Sequence, residues 1–227
     1  TPDELTVSPQ LALSQEGLRQ VLAGRVHQGR IRVSASRLLD GEILGPFRFK
    51  QYQCCAELRA LKLAYAWVNN TDTKDHNTLM VWTGNKAIGY LIDFGTSFGA
   101  HAVRGPKGPC EGWVYDVDVK EFALELLTLG LHDEGCNPRE RPMSPAVGLF
   151  SPRLDPVRWK PYAPNLAFEE MTPEDARWMA ARLAMFSRDQ LAAAVAAGQY
   201  HDPQDAERIV EILEARRKTI LKTYLKD

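Results

Sequence analysis

Between positions 72 and 77 the chain reads Asp72-Thr73-Lys74-Asp75-His76-Asn77, and sixteen positions after Asn77 it reads Asp93-Phe94-Gly95. Carboxylate and amide oxygens are hard donors of the kind a magnesium ion prefers. A carboxylate beside a hydroxyl can orient it and take its proton, and an ammonium group nearby can meet an anion. The same residues have a plainer use. Asp and Asn favour turns in a solvated loop, and an Asp at a strand end before Gly can cap that turn. The choice between the two uses depends on whether the intervening elements bring these side chains to one place.

The elements around them are readable. Residues 55–68 (CAELRALKLAYAWV) carry Leu58, Leu61, Tyr65 and Val68 on one face at helical spacing. The polar segment 69–77 follows. Two short apolar runs, 78–83 and 87–92, are joined by Gly84-Asn85, residues that suit a tight hairpin turn. Sixteen positions are enough for a two-stranded hairpin to return Asp93 towards Asn77. Upstream, 14–24 read as a short helix with Ser14 as N-cap, 29–35 alternate like a strand, and Asp40-Gly41 turns into an extended run, 42–50. Downstream, 96–116 are irregular, 118–129 form a helix closed by Gly130, and 131–165, with seven prolines, form a long surface loop. Thr172-Pro173-Glu174-Asp175 and Ser187-Arg188-Asp189-Gln190 are capping boxes, the second helix ending at Gly198. Asp202-Pro203 opens a final helix to about Tyr224.

In order, D-x-K-x-x-N, a hairpin and D-F-G follow one another after a helix. This resembles the catalytic loop and metal-binding loop of protein kinases and their relatives. The resemblance implies that Asp72 is the catalytic base and Lys74 the phosphate contact, with Asn77 and Asp93 holding Mg²⁺ and, through it, ATP. Phosphoryl transfer accounts for these residue types, because several negative charges must be neutralised while a hydroxyl is activated.

The pattern departs from the eukaryotic one. Asn70-Thr71 stand where His-Arg usually precede the base, and no Ala-Pro-Glu landmark is recognisable. The chain is closer to atypical branches such as HipA-like and CotH-like proteins. It is also similar to uncharacterised bacterial proteins with an N-T-L…Y-L-I-D-F-G core and a helical tail near an Arg-Arg pair, here Arg216-Arg217. Before residue 55 there is no G-x-G-x-x-G, and the sole lysine is Lys50. The expected organisation is therefore a short segment, 1–54, as hinge or lobe remnant, then a kinase-like C-lobe, 55–227. Within it lie the catalytic loop 69–77, the 93–95 motif and a helical tail, 172–225. The fold class is mainly α with a small β element (α+β), with the N-lobe truncated or absent. The implied function is transfer of a phosphoryl group, or less often a nucleotidyl group, from Mg-ATP to an unknown protein or small-molecule acceptor. A separate chain or segment would supply the missing lobe. The alternatives are a degenerate, partner-binding relative and a processed subunit of a larger assembly.

Composition bounds these readings. About 44% hydrophobic and 25% charged residues permit a buried core. A net charge of −1 argues against a general nucleic-acid binder, and no apolar run is long enough to span a bilayer. The chain opens on Thr1, so its start says nothing of compartment. Cys54, Cys55, Cys110 and Cys136 show no metal-site spacing. Cys110 and Cys136 can pair in an oxidising compartment, but free thiols are the favoured reading. His76 is expected in solvent, Thr96 and Ser97 in a turn rather than as phosphorylation sites. Trp159, Tyr162 and Phe168 are expected to pack their loop onto the core, and Arg216, Arg217 and Lys218 to form a solvated face.

Overall fold

The computed structural model describes residues 14–23, 26–27, 29–31, 38–101, 105–129, 135–144 and 146–225. The chain divides into two compact units, 1–40 and 41–227, so residues 41–54 belong with the second. The first unit contains helix α1 (Gln15–Ala23), capped as expected by Ser14, whose Oγ accepts the Gly17 N–H at 3.0 Å. Its described residues also include a two-residue ladder of β1 (Val26–His27) and β2 (Arg30–Ile31). Of the run expected as one strand, 29–35, only Arg30–Ile31 is extended and paired, while 32–35 lie outside the described residues.

The second unit combines a small antiparallel sheet with a helical layer, an α+β arrangement. Strands β3 (Glu42–Gly45), β4 (Thr78–Trp82) and β5 (Ala87–Leu91) lie in the order β3-β4-β5. The expected hairpin is present, with Thr78 opposite Leu91 and Trp82 opposite Ala87. The extended run expected over 42–50 stops early. Phe49–Tyr52 close into a 3-10 turn, because Phe49 is drawn into an aromatic cluster with Phe47 and Phe168.

Helix α2 (Ala56–Val68) is the centre of the unit, packed by α4 (Leu166–Glu169), α5 (Pro173–Ala184) and α7 (Pro203–Tyr224). Helix α6 (Arg188–Ala196) packs on α7. Leu58 and Tyr65 of α2 are buried as its spacing suggests, but so are Ala60, Leu63, Ala66 and Trp67. The helix is covered on several sides rather than on one stripe. Both capping boxes form. Asp175 serves twice: it accepts the Thr172 N–H and holds the Arg59 guanidinium at 2.7 and 3.1 Å. Burial pushes its carboxyl up, yet Arg59 and the cap hydrogen bonds outweigh this and hold it below the usual range.

Helix α3 (Val119–Leu127) buries none of its residues. It is held at its start by Lys160, which bridges Asp118 at 2.7 Å and Glu121 at 2.8 Å. Short strands β6 (Ala100–His101) and β7 (Gly105–Pro106) pair in the segment before it. The Pro-rich stretch, expected to run over the surface, contributes Val147, Leu149, Phe150 and Trp159 to the interior. Trp159 and Phe168 pack inward as expected. Two further expectations are overturned. Cys110 and Cys136 are joined in a disulfide, with Cα atoms 5.0 Å apart. Arg216 is buried at 3% exposure, because the face of α7 that carries it turns onto α2 and not to solvent. No described helix is long and apolar enough to cross a membrane.

Candidate functional site

The site begins where α2 stops. Asn69 takes the left-handed conformation (φ 52°, ψ 42°), which Asn tolerates better than most residues. Its N–H and that of Asn70 return to the carbonyls of Ala66 (3.2 Å) and Tyr65 (2.9 Å). The chain leaves the helix sharply, and Asn70 and Thr71 are driven inside, at 1% and 0% exposure.

Asn70 then becomes a hub. Its Oδ1 accepts the Asp72 N–H at 3.2 Å and the Thr96 hydroxyl at 2.5 Å, and its Nδ2 donates to the Asp93 carbonyl at 3.4 Å. One buried amide thus ties the loop carrying Asp72 to the turn carrying Asp93. Asn77 closes the loop from the other side, its Nδ2 donating to the Asp72 carbonyl at 3.1 Å. The Ile92 N–H meets the Asn77 carbonyl at 3.0 Å, extending the hairpin and bringing Asp93 beside the loop. Asp93 is exposed, and its Oδ1 accepts the Gly95 N–H at 2.8 Å. Lys74 Nζ lies 3.2 and 3.4 Å from the two oxygens of Asp72, whose side chain is 17% exposed. Asp75 takes a structural part: its Oδ1 accepts the Phe49 N–H at 3.0 Å, anchoring the 3-10 turn.

The electrostatics agree with this grouping. Burial pushes the Tyr65 hydroxyl up to about 12, and the negative charges of Asp72 and Asp93 both add to the shift. The two carboxylates therefore act on one buried phenol. Beside Asp72 opens a cleft of about 290 Å³, lined by Phe49, Lys50, Lys74, Tyr162 and Asn165 among others.

The donor set suits a hard cation in its chemistry. It consists of two carboxylates and an amide, and the nitrogen of that amide is committed to the loop through the Asp72 carbonyl. Among the described residues, no group of three or more His, Cys, Asp or Glu side chains is arranged to hold a metal.

His76 is exposed, as expected. Thr96 is buried in the turn, with its hydroxyl on Asn70. Several residues that shape the site were not anticipated. Asn70 and Thr71 register in the sequence as departures from His-Arg, and two polar residues directly after an apolar helix were the available signal. Lys107 gave none, lying in a Gly-Pro-Lys-Gly-Pro run that reads as loop. It is 3% exposed and donates to the Asn69 carbonyl at 2.5 Å and the Thr71 hydroxyl at 2.7 Å. The Tyr162 N–H meets the Thr71 carbonyl at 2.9 Å. Trp159 Nε1 donates to Asn69 Oδ1 at 3.0 Å. Gly112 lies so close that a Cβ there would sit 2.6 Å from that same oxygen, at a φ of +94° that also favours glycine. Comparison with protein-family models, curated proteins and solved structures finds no match to this chain.

Proposed function

We propose that residues 41–227 form the catalytic half of a kinase-like phosphotransferase that moves a phosphoryl group from ATP to a hydroxyl acceptor. The observation that carries this reading is the Asn70 bridge, which couples the Asp72 loop to Asp93 through one buried side chain. In a turn-only role these residues would need no such coupling. In the proposed reaction Asp72 orients the acceptor hydroxyl and takes its proton as the new O–P bond forms and the bond to the leaving diphosphate breaks. Lys74, adjacent to Asp72, contacts the transferring phosphoryl group. Asn77 and Asp93 would hold Mg²⁺, which when bound neutralises phosphate charge. Asn70 and Asn77 keep the loop from relaxing when the acceptor arrives, so that reacting groups meet in a fixed geometry.

The residues that would cradle a nucleotide's phosphates, a Gly-rich loop and a strand lysine, do not occur before α2. Nucleotide affinity then depends on a second lobe, from another segment or chain. The test is magnesium-dependent transfer of the γ-phosphoryl group, with self-modification included among the acceptors, alongside calorimetry of Mg-ATP on the 227-residue chain. Weak, magnesium-dependent binding that is lost in Asp93→Asn supports the reading. Tight binding that is indifferent to magnesium and to Asp93 overturns it.

A second reading is a partner-binding module that keeps the motif for structure. It is favoured by local commitments of two motif residues, Asp93 to the Gly95 N–H and Asp72 to an ion pair with Lys74. Under it, Asp93→Asn lowers the melting temperature and no transfer is detected in any form of the protein.

A further inference from the structure

We propose that Lys107 is a positioning residue for the Asp72 loop: from the segment after Asp93-Phe94-Gly95 it reaches under the loop and clamps Asn69 and Thr71. What the clamp is for rests on the phosphotransferase reading, whereas the clamp itself rests on geometry. Nζ of Lys107 donates to the Asn69 carbonyl at 2.5 Å and the Thr71 hydroxyl at 2.7 Å, and lies 5.8 Å from the centre of the Tyr162 ring. The base of the side chain is equally fixed. The Lys107 N–H meets the Gly99 carbonyl at 2.9 Å, and that carbonyl also accepts the Leu149 N–H at 3.0 Å. A Cβ on Gly99 would lie 2.2 Å from the Leu149 backbone, so this anchor has no slack.

Energetics argue that the arrangement is not there for stability alone. Lys107 is 3% exposed, and among the described residues its ammonium makes no ion pair. Burying a cation without an ion pair is unfavourable, and that cost offsets part of what its two hydrogen bonds contribute. The groups that face it are Glu111 on its own segment, Asp72 in the loop, Tyr162 and Arg216 of α7. Burial, first, and then Arg216 push its amine down to about 7, against the pull of Glu111 and Asp72. A neutral amine still carries two N–H donors, enough for both bonds, so the clamp does not depend on the charge.

What the clamp protects is the exit from α2. Thr71 precedes Asp72, and a displacement of about 1 Å in a reacting group can cost on the order of 10²-fold in rate. Gly95 and Lys107 are joined by one continuous segment. The position of the base therefore answers to the segment that follows the Asp93 turn.

The experiment compares Lys107→Met with wild type by amide hydrogen exchange over 69–77, using α5 and α7 as internal references. It is paired with kcat and KM for phosphoryl transfer in the form that shows it. Exchange over 69–77 is expected to quicken at least about tenfold with the references unchanged, and kcat to fall roughly 10²-fold with little change in KM for ATP. Lys107→Gln, which keeps an N–H₂ donor, should recover part of both losses. It also replaces Lys107→Met if that variant does not fold. An unchanged 69–77 in a folded variant overturns the clamp whatever the activity. A loosened loop with undiminished kcat overturns the positioning role. A loosened loop in a protein whose wild type transfers nothing in any form, and whose Mg-ATP binding is indifferent to Asp93→Asn, leaves the clamp standing and removes the phosphotransferase reading instead.

Discussion

Nε of Arg216 donates to the main-chain carbonyl of Trp67 at 2.9 Å, two residues before Asn69, where the candidate site begins. The guanidinium takes three more carbonyls: Ala66 at 2.5 Å, Ser151 at 2.8 Å and Arg153 at 3.1 Å. Trp67 answers by donating its indole N–H to Leu213 of α7 at 2.8 Å. A cation at the C-terminus of α2 meets the negative end of the helix dipole as well as its orphan carbonyls. The guanidinium carbon lies 5.2 Å from the centre of the Phe150 ring. Burial lowers its pKa to about 9, so it stays charged at neutral pH.

Arg216→Met removes every one of these donors and leaves buried carbonyls bare. The expected loss is about 3 kcal/mol or more, since each unsatisfied buried acceptor costs about 1–3 kcal/mol. Arg216→Lys, with one ammonium in place of a planar fork, should lose less but not recover wild-type stability. Urea unfolding of both variants measures this. Near-neutral values would mean that water replaces the guanidinium freely.

Arg216 also shows where the sequence stops being informative. Helix α7 was legible from Asp202-Pro203 to Tyr224, because caps and periodicity are local signals. Which face of α7 meets α2 is a packing outcome, and Arg216-Arg217-Lys218 read as a solvated cluster for that reason. The hairpin and the order of the motifs were legible too, from Gly84-Asn85 and the spacing of Asn77 and Asp93. The Asn70 bridge was not, since its partners Thr96 and Asp93 come from across the hairpin. Lys107 was further out of reach. Its contacts span 36 and 38 positions, and no periodicity passes through the Gly- and Pro-rich run that carries it. Pairing of Cys110 with Cys136 likewise depends on two irregular segments meeting.

Breaking that disulfide should destabilise the protein. It closes a loop of 26 positions, for which restricting the unfolded chain contributes roughly 3 kcal/mol. The double variant Cys110→Ser/Cys136→Ser, or wild type in reductant, is expected to unfold at lower urea. Cys54 and Cys55 are exposed free thiols and report alkylation in either state. Mass spectrometry after alkylation should find two modified cysteines in the native oxidised protein and four after reduction and unfolding. Four modified thiols in the protein as isolated would show that the bond does not form.

Within the candidate site, charge should matter more than proximity. Asp93→Asn is expected to abolish phosphoryl transfer, because it removes a charged oxygen ligand while leaving the Gly95 N–H an acceptor of the same shape. Asp72→Asn should fall by about 10²–10⁴-fold, the usual contribution of a positioned general base. His76→Ala should change little, as His76 is exposed beside the loop. All three should melt close to wild type. Transfer rates and melting curves on the same preparations separate the outcomes, and full activity in a folded Asp93→Asn protein rules out the mechanism.

The last expectation concerns pH and the buried amine of Lys107. In the unfolded chain this lysine titrates near 10.5, and in the folded protein burial brings it to about 7. Below about pH 7 it is charged in both states, so stability does not depend on pH through this group, and the full cost of burying the cation is present. Between the two values the unfolded chain holds the proton that the folded protein has released. Stability then rises with pH, at up to about 1.4 kcal/mol per unit for one proton. Above about 10.5 both states are neutral and the rise ends. Other groups that titrate in this range, Arg216 among them, are present in Lys107→Met as well and largely cancel in a difference. The quantity to measure is the wild-type unfolding free energy minus that of Lys107→Met, from urea titrations between about pH 6 and 10. It should be flat at the acid end and climb in favour of wild type from neutrality upward. A difference that stays level, or that falls as pH rises, would mean that the folded protein keeps Lys107 protonated in its pocket, through stronger coupling to Glu111 or Asp72 than its burial allows.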